Sequence, residues 1–476
     1  MDWPISDIIY WVAVIFIVYT IVSVIGVILL ENRNPLNSIS WIIILIMLPV
    51  AGLILYFFLG QNFRRKKIIS KRSIKRIAIE ALMDTKYDDI GLPDETQKII
   101  RLLSNNSKSP LYEITQIKLY DNGRDTFEAM LADIREAKNH IHIEFYIIEN
   151  DVIGNALREL LIQKAQEGVR IRVIYDYLGG LKLNKKFLHS MTKVGIYIQP
   201  FLPAHPSIGF SKINYRNHRK LVIIDGKIGY TGGINVASRY LEGNQLGLWR
   251  DTQVRLEGPV VYGMQNAFLI DWYFVDNKPI TDQKYYPEIA KKDTGKYGQV
   301  VTSGPDTDWE NIMQGIVTMI NDAKKYIYIH TPYFLPTESI CMALETAALC
   351  GIDVRLMLPE KSDTKLVAQA SHSYLEHLME AGVRVFFYQH NFLHSKAIVV
   401  DDMISTIGTA NMDIRSYEQN FELNVFLYDQ RTATQLTKLF KKDLRMCREI
   451  HLNSWKKRKK SKKMVESLAR LFSPIL

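Results

Sequence analysis

The chain has 476 residues and a formal net charge of +10; 47% of its residues are hydrophobic and 23% are charged. It is longer than one usual domain, so two or three units are expected, with apolar side chains enough for a sizeable core. The three cysteines, Cys341, Cys350 and Cys447, have no CxxC spacing and are odd in number, which argues against structural disulfides and zinc and fits a reducing compartment.

Residues 8–30 form an apolar run without a charge, and residues 39–59 repeat it. Each is long enough for the roughly 20 helical residues that cross a bilayer core. The connector 31–38 is short and turn-like, which predicts a transmembrane helical hairpin over residues 1–60, with Pro49 and Gly52 as points of bending. A cleavable signal peptide is disfavoured, because the first run lacks a basic leader and a small-x-small cleavage site. Arg64-Arg65-Lys66-Lys67 directly follow the second run, which places that end in the cytoplasm, both termini inside and the 31–38 loop outside. Eight Lys/Arg fall between Arg64 and Arg76, and seven between Lys456 and Lys463. Such runs bind nucleic acid or acidic lipid, or remain solvated charge clusters. Residues 61–110 read as a basic juxtamembrane linker.

From residue 111 the pattern alternates. Residues 127–137 have helical spacing, residues 141–146 alternate like a strand, and a helix over 153–167 leads through Gly168 into a strand over 169–175. The order returns as helix 312–323, strand 326–329, helix 337–348 and strand 351–357. Strands separated by helices imply βαβ units and an α/β fold with largely parallel or mixed sheets. The reading is a duplication, with one copy over 111–280, a polar joint over 281–299 and a second copy over 300–452. In the tail, 453–476, the basic run leads into Val465, Leu468, Leu471, Phe472 and Ile475 at helical spacing. An interfacial helix on anionic lipid and a helix docked on its own domain both fit.

The chemistry sits in one pattern found twice, H-x-K-x4-D-x6-G-x2-N. It runs through His218, Lys220, Asp225, Gly232 and Asn235, and again through His394, Lys396, Asp401, Gly408 and Asn411. His218 and Lys220 are two apart on a predicted strand, so both side chains leave one face. A single His-x-Lys reads as an exposed strand face. Two copies about a pseudo-twofold axis instead gather two imidazoles and two ammonium groups around one point. The ammonium groups neutralise a phosphodiester and the charge that grows in its transition state. One neutral imidazole attacks phosphorus and the other protonates the departing oxygen. Asn235 and Asn411 donate to the same phosphate, and Gly232, Gly233 and Gly408 let backbone approach closely. Asp225 and Asp401 fall at strand ends, where closing a turn competes with a catalytic role. His142 and His330 line the cleft or pack, packing being the plainer reading; Glu144 takes the place of His330 in the first copy.

The repeated motif resembles the HKD motifs of the phospholipase D superfamily, and the whole chain is similar to the bacterial cardiolipin synthases. The resemblance is carried by 48–52 and 56–60 in the hairpin, by 232–235, 249–252 and 256–259, by 331–336, by 411–416 and by the terminal 473–476. It implies two phospholipase D-like repeats in a pseudo-twofold bilobal domain behind a transmembrane hairpin. It also implies ping-pong phosphatidyl transfer between two phosphatidylglycerol molecules, giving cardiolipin and glycerol through a phosphatidyl-histidine. His218 is then the nucleophile and His394 the acid and later the base, with the reverse order open. The catalytic set is His218, Lys220, Asp225, His394, Lys396 and Asp401. Family placement further pairs Glu422 with His218 and Asp251 with His394 to orient the rings, structural ion pairs with Arg250 or Arg415 being the alternative. Tyr333 and Phe334 contact lipid chains or pack their loop. No metal or cofactor is implied, because the lysines supply the positive charge. The implied partners are phosphatidylglycerol and an anionic phospholipid membrane, not nucleic acid, and the implied location is the bacterial cell membrane with a cytoplasmic catalytic domain. A hydrolytic phospholipase D, a phosphatidyltransferase to another alcohol such as serine, and a non-enzymatic lipid scaffold stay open as alternatives.

Overall fold

A computed structural model describes residues 4–30, 35–56, 91–203, 214–290, 292 and 294–475. In the N-terminal unit, Ile5–Leu30 is a single helix, the one helix among the described residues that is long and apolar enough to cross a bilayer. The run predicted as the second span, 39–59, is broken within its described part, at the point of bending expected at Pro49. Helix Pro35–Met47 stops, and a separate helix, Pro49–Leu55, begins after Leu48. Proline has no N–H for the helical ladder and disfavours helical geometry in the residue before it, so Leu48 turns to φ −131°, ψ 70°. Residues 57–59 and the basic run behind them lie outside the described residues. Ile28, Leu45 and Tyr56 pack together, with Trp41 edge-on to Tyr56 at 5.3 Å.

The α/β unit contains two mixed sheets built to one plan. In the first, the parallel strands His140–Phe145, Arg170–Asp176 and Tyr197–Phe201 continue into antiparallel Leu221–Ile224, Ile228–Gly232, Trp249–Glu257 and Gln116–Asn122. In the second, parallel Tyr326–His330, Asp353–Pro359 and Arg384–Tyr388 continue into antiparallel Ala397–Val400, Ile404–Gly408, Glu422–Tyr428 and Tyr297–Ser303. Even the register repeats: Ile143 faces Val222 as Ile329 faces Ile398. Helices such as Val152–Gln166 and Glu338–Leu349 join the parallel strands, and strands covered on both faces carry near-continuous apolar runs.

The borders between these parts differ from the predicted ones. Within the predicted linker 61–110, Asp94–Asn106 is a helix that buries Ile99, Ile100 and Leu103 in the core of the second half, and Tyr112–Glu113 pairs with Tyr297 and Gly298. In the predicted joint, Tyr285 is buried against the rings of His140 and His142. The tail helix Lys460–Arg470 docks along Lys365–Glu380. Arg458 and His372 pair with the buried Glu466, Lys463 with Glu376, and the Arg470 guanidinium lies over the Tyr374 ring. Its other face leaves Met464, Val465, Leu468, Leu471 and Phe472 exposed.

Candidate active site

The strand expected to carry His218 and Lys220 begins only at Leu221; the motif is the extended approach to it. That approach is stitched to the opposite half. The Phe421 N–H donates to the Arg216 carbonyl, and the His218 N–H donates to the Phe421 carbonyl at 2.9 Å. The second motif does the converse. Phe392–Leu393 pairs with Trp249 and Arg250, and the His394 N–H donates to the Arg250 carbonyl at 2.8 Å. Because Asn217 faces Phe421 and Leu393 faces Arg250, the next residues meet as well: His218 with Glu422, and His394 with Asp251.

His218 Nδ1 lies 3.0 Å and 3.1 Å from the two Glu422 oxygens, and His394 Nδ1 lies 2.7 Å from Asp251 Oδ2. A carboxylate on Nδ1 fixes the tautomer and leaves Nε2 for chemistry. Space for Asp251 comes from Gly233, where an added Cβ would stand 2.1 Å from the Asp251 carboxylate. At the matching place in the second motif, Thr409 donates its hydroxyl to Glu422 instead. Lys220 Nζ donates to the His218 carbonyl at 2.7 Å, and Lys396 Nζ to the His394 carbonyl at 2.6 Å. Both histidines, Asn235 and Asn411 line one cavity of about 560 Å³. Asn235 already gives one amide hydrogen to Tyr240 Oη and accepts from the Ile147 N–H, whereas the buried Asn411 Oδ1 has no partner among the described residues.

Burial governs the charges. It pushes the Lys220 amine down to about 7 and the Lys396 amine to about 8, against the pull of Glu422 and Asp251. Burial lowers His218, with Glu422 opposing; burial with Lys396 and Lys220 holds His394 well below the usual imidazole value. The two carboxylates part ways. Burial raises Asp251 to about 6, but for Glu422 the same cost is outweighed by His218, Lys220 and the Thr409 hydroxyl, and its value falls.

Asp225 and Asp401 are not brought to the histidines, and their place in the catalytic set is corrected. Six residues of extended chain, a span of roughly 20 Å, separate His218 from Asp225. The Asp225 carboxylate accepts the backbone N–H groups of Lys138, Asn139 and His140, and Asp401 accepts those of Lys324, Lys325 and Tyr326. Both aspartates have positive φ (53° and 55°) in the turn that ends the motif strand, so each ties that turn to the neighbouring parallel strand. His142 packs, stacked on Phe268 and bonded to Gln265, and His330 pairs with Asp443. Glu144, in the place of His330, accepts from Asn217 and is raised well above the ordinary value by burial and Asp271. Arg250 engages Asp443 and donates to the Asp251 carbonyl rather than its carboxylate.

Two arginines in the cavity wall, Arg216 and Arg239, were not among the predicted site residues, nor were Tyr146, Tyr240 and Asp363; a third, Arg415, was read only as an ion-pair partner. One signal was available: Arg239 and Arg415 each stand four residues past the motif asparagine.

Residues 130–261 and 316–444 match the family described as "Cardiolipin synthase, PLD-like domain", and residues 8–61 match "Phospholipase_D-nuclease N-terminal". The chain is 40% identical to the "Major cardiolipin synthase ClsA" of Bacillus subtilis, covering 97% of this chain and 98% of that one. It is 40% identical to "Cardiolipin synthase 2" of Bacillus anthracis, over 94% and 89%. Among solved structures, the phosphatidylserine synthase of Haemophilus influenzae aligns with a TM-score of 0.62 at 14% identity, over 80% of this chain and all of that one, a likeness of fold.

Proposed function

From the premise that this chain belongs to the cardiolipin synthase family with paired phospholipase D-like domains and is a phosphatidyltransferase, we propose that it joins two phosphatidylglycerol molecules into cardiolipin and glycerol. The observation that carries the reading is a pair of histidines from opposite halves that line one cavity, each held by the other half's carboxylate and each with a buried lysine bonded to its own carbonyl. In the first half-reaction one imidazole Nε2 attacks phosphorus, and the P–O bond to the glycerol head group breaks. The departing oxygen takes the proton of the other imidazole. In the second, the glycerol hydroxyl of another phosphatidylglycerol returns a proton to that ring and attacks phosphorus, which frees the first histidine. Lys220 and Lys396 balance the phosphate charge, and Asp251 and Glu422 orient the rings.

The resemblance gives the attack to His218. The carboxylates favour the reverse order: His218 faces Glu422, the more acidic of the two, as an acid needs, while His394 faces Asp251, raised to about 6. Denaturing quench at alkaline pH during turnover, which preserves the P–N bond, followed by peptide mapping separates the two, with phosphate expected on His394.

The chain is membrane-associated as the family is; with Ile5–Leu30 and the broken helix pair behind it both crossing, the basic run from Arg64 to Arg76 favours a cytoplasmic catalytic unit. The exposed stripe of the tail helix fits the same setting. The tail helix docks along Lys365–Glu380, whose first turn contributes Val367 to the cavity, so the element that carries the stripe packs on one that lines the site.

The test is incubation of the purified full chain with phosphatidylglycerol in mixed micelles. Cardiolipin and glycerol in equal amounts are expected, and His218→Ala and His394→Ala should each lower turnover at least about 1,000-fold. Phosphatidic acid as the sole lipid product would replace the reading with hydrolysis.

A further inference from the structure

If two phosphatidylglycerol molecules meet at this site, one phosphate sits between the histidines and a second, never transferred, must be held a glycerol bridge away. We infer that Arg216 binds the phosphodiester of the acceptor phospholipid, in a cavity wall it shares with Arg415.

Arg216 precedes His218 by two residues in the segment paired with Phe421, so both side chains leave the same side about 7 Å apart. Both line the cavity. Arg216 is only 7% exposed, and the groups that act on its charge are Asp176, Tyr146 and Arg415. The carboxylate that faces it, Asp176, already accepts the N–H groups of Asn217, Leu178 and Gly179. Arg415 is close enough to oppose its charge. Burial costs this cation more than the facing Asp176 returns, and a second guanidinium adds to the cost, so an anion entering the cavity completes the pairing.

The duplication supplies the contrast. Arg239 and Arg415 are equivalent, four residues past Asn235 and Asn411, and Arg239 is engaged by Glu149 at 2.5 Å. The equivalent of Arg216, two residues before His394, is Phe392, fully buried against Trp249. The symmetric residues serve the phosphate common to both half-reactions. The residue without a counterpart distinguishes the two lipids.

The inference rests on phosphatidyl transfer between two lipids, and two acceptors separate its failure from the failure of that reading. Labelled glycerol, which carries no phosphate, exchanges into phosphatidylglycerol by reversal of the first half-reaction; phosphatidylglycerol as acceptor gives cardiolipin. In Arg216→Gln the ratio of cardiolipin formation to glycerol exchange is expected to fall about 10- to 100-fold, the worth of a charged hydrogen bond. Arg216→Lys keeps the charge without the fork and should give an intermediate ratio, which also serves if the glutamine variant does not fold. An unchanged ratio in the folded variant overturns the inference, and so do equal losses of both activities. So does relief of inhibition by inorganic phosphate with the ratio intact, which would mark a free-phosphate site. Wild-type chain that exchanges glycerol but forms no cardiolipin would instead defeat the underlying reading.

Discussion

At the residue scale, the lysines give the site a pH dependence of fixed sign. An amine is charged below its pKa, and burial pushes Lys220 to about 7 and Lys396 to about 8. Their charge in the empty site is therefore full below pH 7 and lost as pH rises through 7 to 8. A bound phosphodiester favours the charged form and restores it. Thus kcat/KM for phosphatidylglycerol, which reports the free enzyme, should decline on the alkaline side with a midpoint between 7 and 8, while the decline in kcat comes at higher pH. Coincident alkaline limbs near pH 10 would show that the lysines are not depressed. The motif spacing made these histidines, lysines and asparagines legible from sequence. It gave no means of telling that Asp225 serves backbone N–H groups at Lys138, Asn139 and His140, because that contact joins segments more than 80 residues apart. Arg216 was illegible for a related reason: its place in the site depends on its segment pairing with Phe421 from the other half, whose N–H donates to the Arg216 carbonyl.

At the scale of elements, the alternating helix and strand patterns from residue 127 onward mapped onto the observed order with shifts of a few residues, since buried parallel strands advertise themselves as apolar runs. Where composition masked periodicity, the reading slipped. The basic run at 64–76 made residues 61–110 look like linker, although Ile99, Ile100 and Leu103 already had the spacing of a buried helical face. The tail helix shows the opposite case, in which both sequence readings describe part of the element: one face is docked and the other is an exposed apolar stripe. Leu468 is 54% and Leu471 74% exposed, so replacing both with serine leaves the docked face intact. Burying a leucine side chain is worth about 1.5–3 kcal/mol. If the stripe enters a bilayer, this variant should show an apparent KM for phosphatidylglycerol in vesicles raised about tenfold or more, and a much smaller change on monomeric short-chain phosphatidylglycerol. Equal effects on the two substrates would assign the stripe to packing or solubility.

For the α/β unit as a whole, the reciprocal stitching makes the two halves one chemical object. His394 takes its carboxylate from Trp249–Glu257 in the first half, and His218 takes its own from Glu422–Tyr428 in the second. The N-terminal helix Asp94–Asn106 and the pair Tyr112–Glu113 also belong physically to the second half, although they precede the first in sequence. A cut in the joint between Ala290 and Gly295 interrupts none of these contacts, because Tyr285 stays with the first fragment and Tyr297–Ser303 with the second. Each fragment alone would hold one motif histidine without its orienting carboxylate and with an unpaired edge where the other half's strand should lie. Neither fragment is therefore expected to form cardiolipin by itself. Co-expressed fragments should copurify and recover synthesis, and His218→Ala in one fragment or His394→Ala in the other should abolish it. A second-half fragment that turned over phosphatidylglycerol alone would mean that His394 works without Asp251, and the crossed histidine–carboxylate arrangement would then be architecture rather than mechanism.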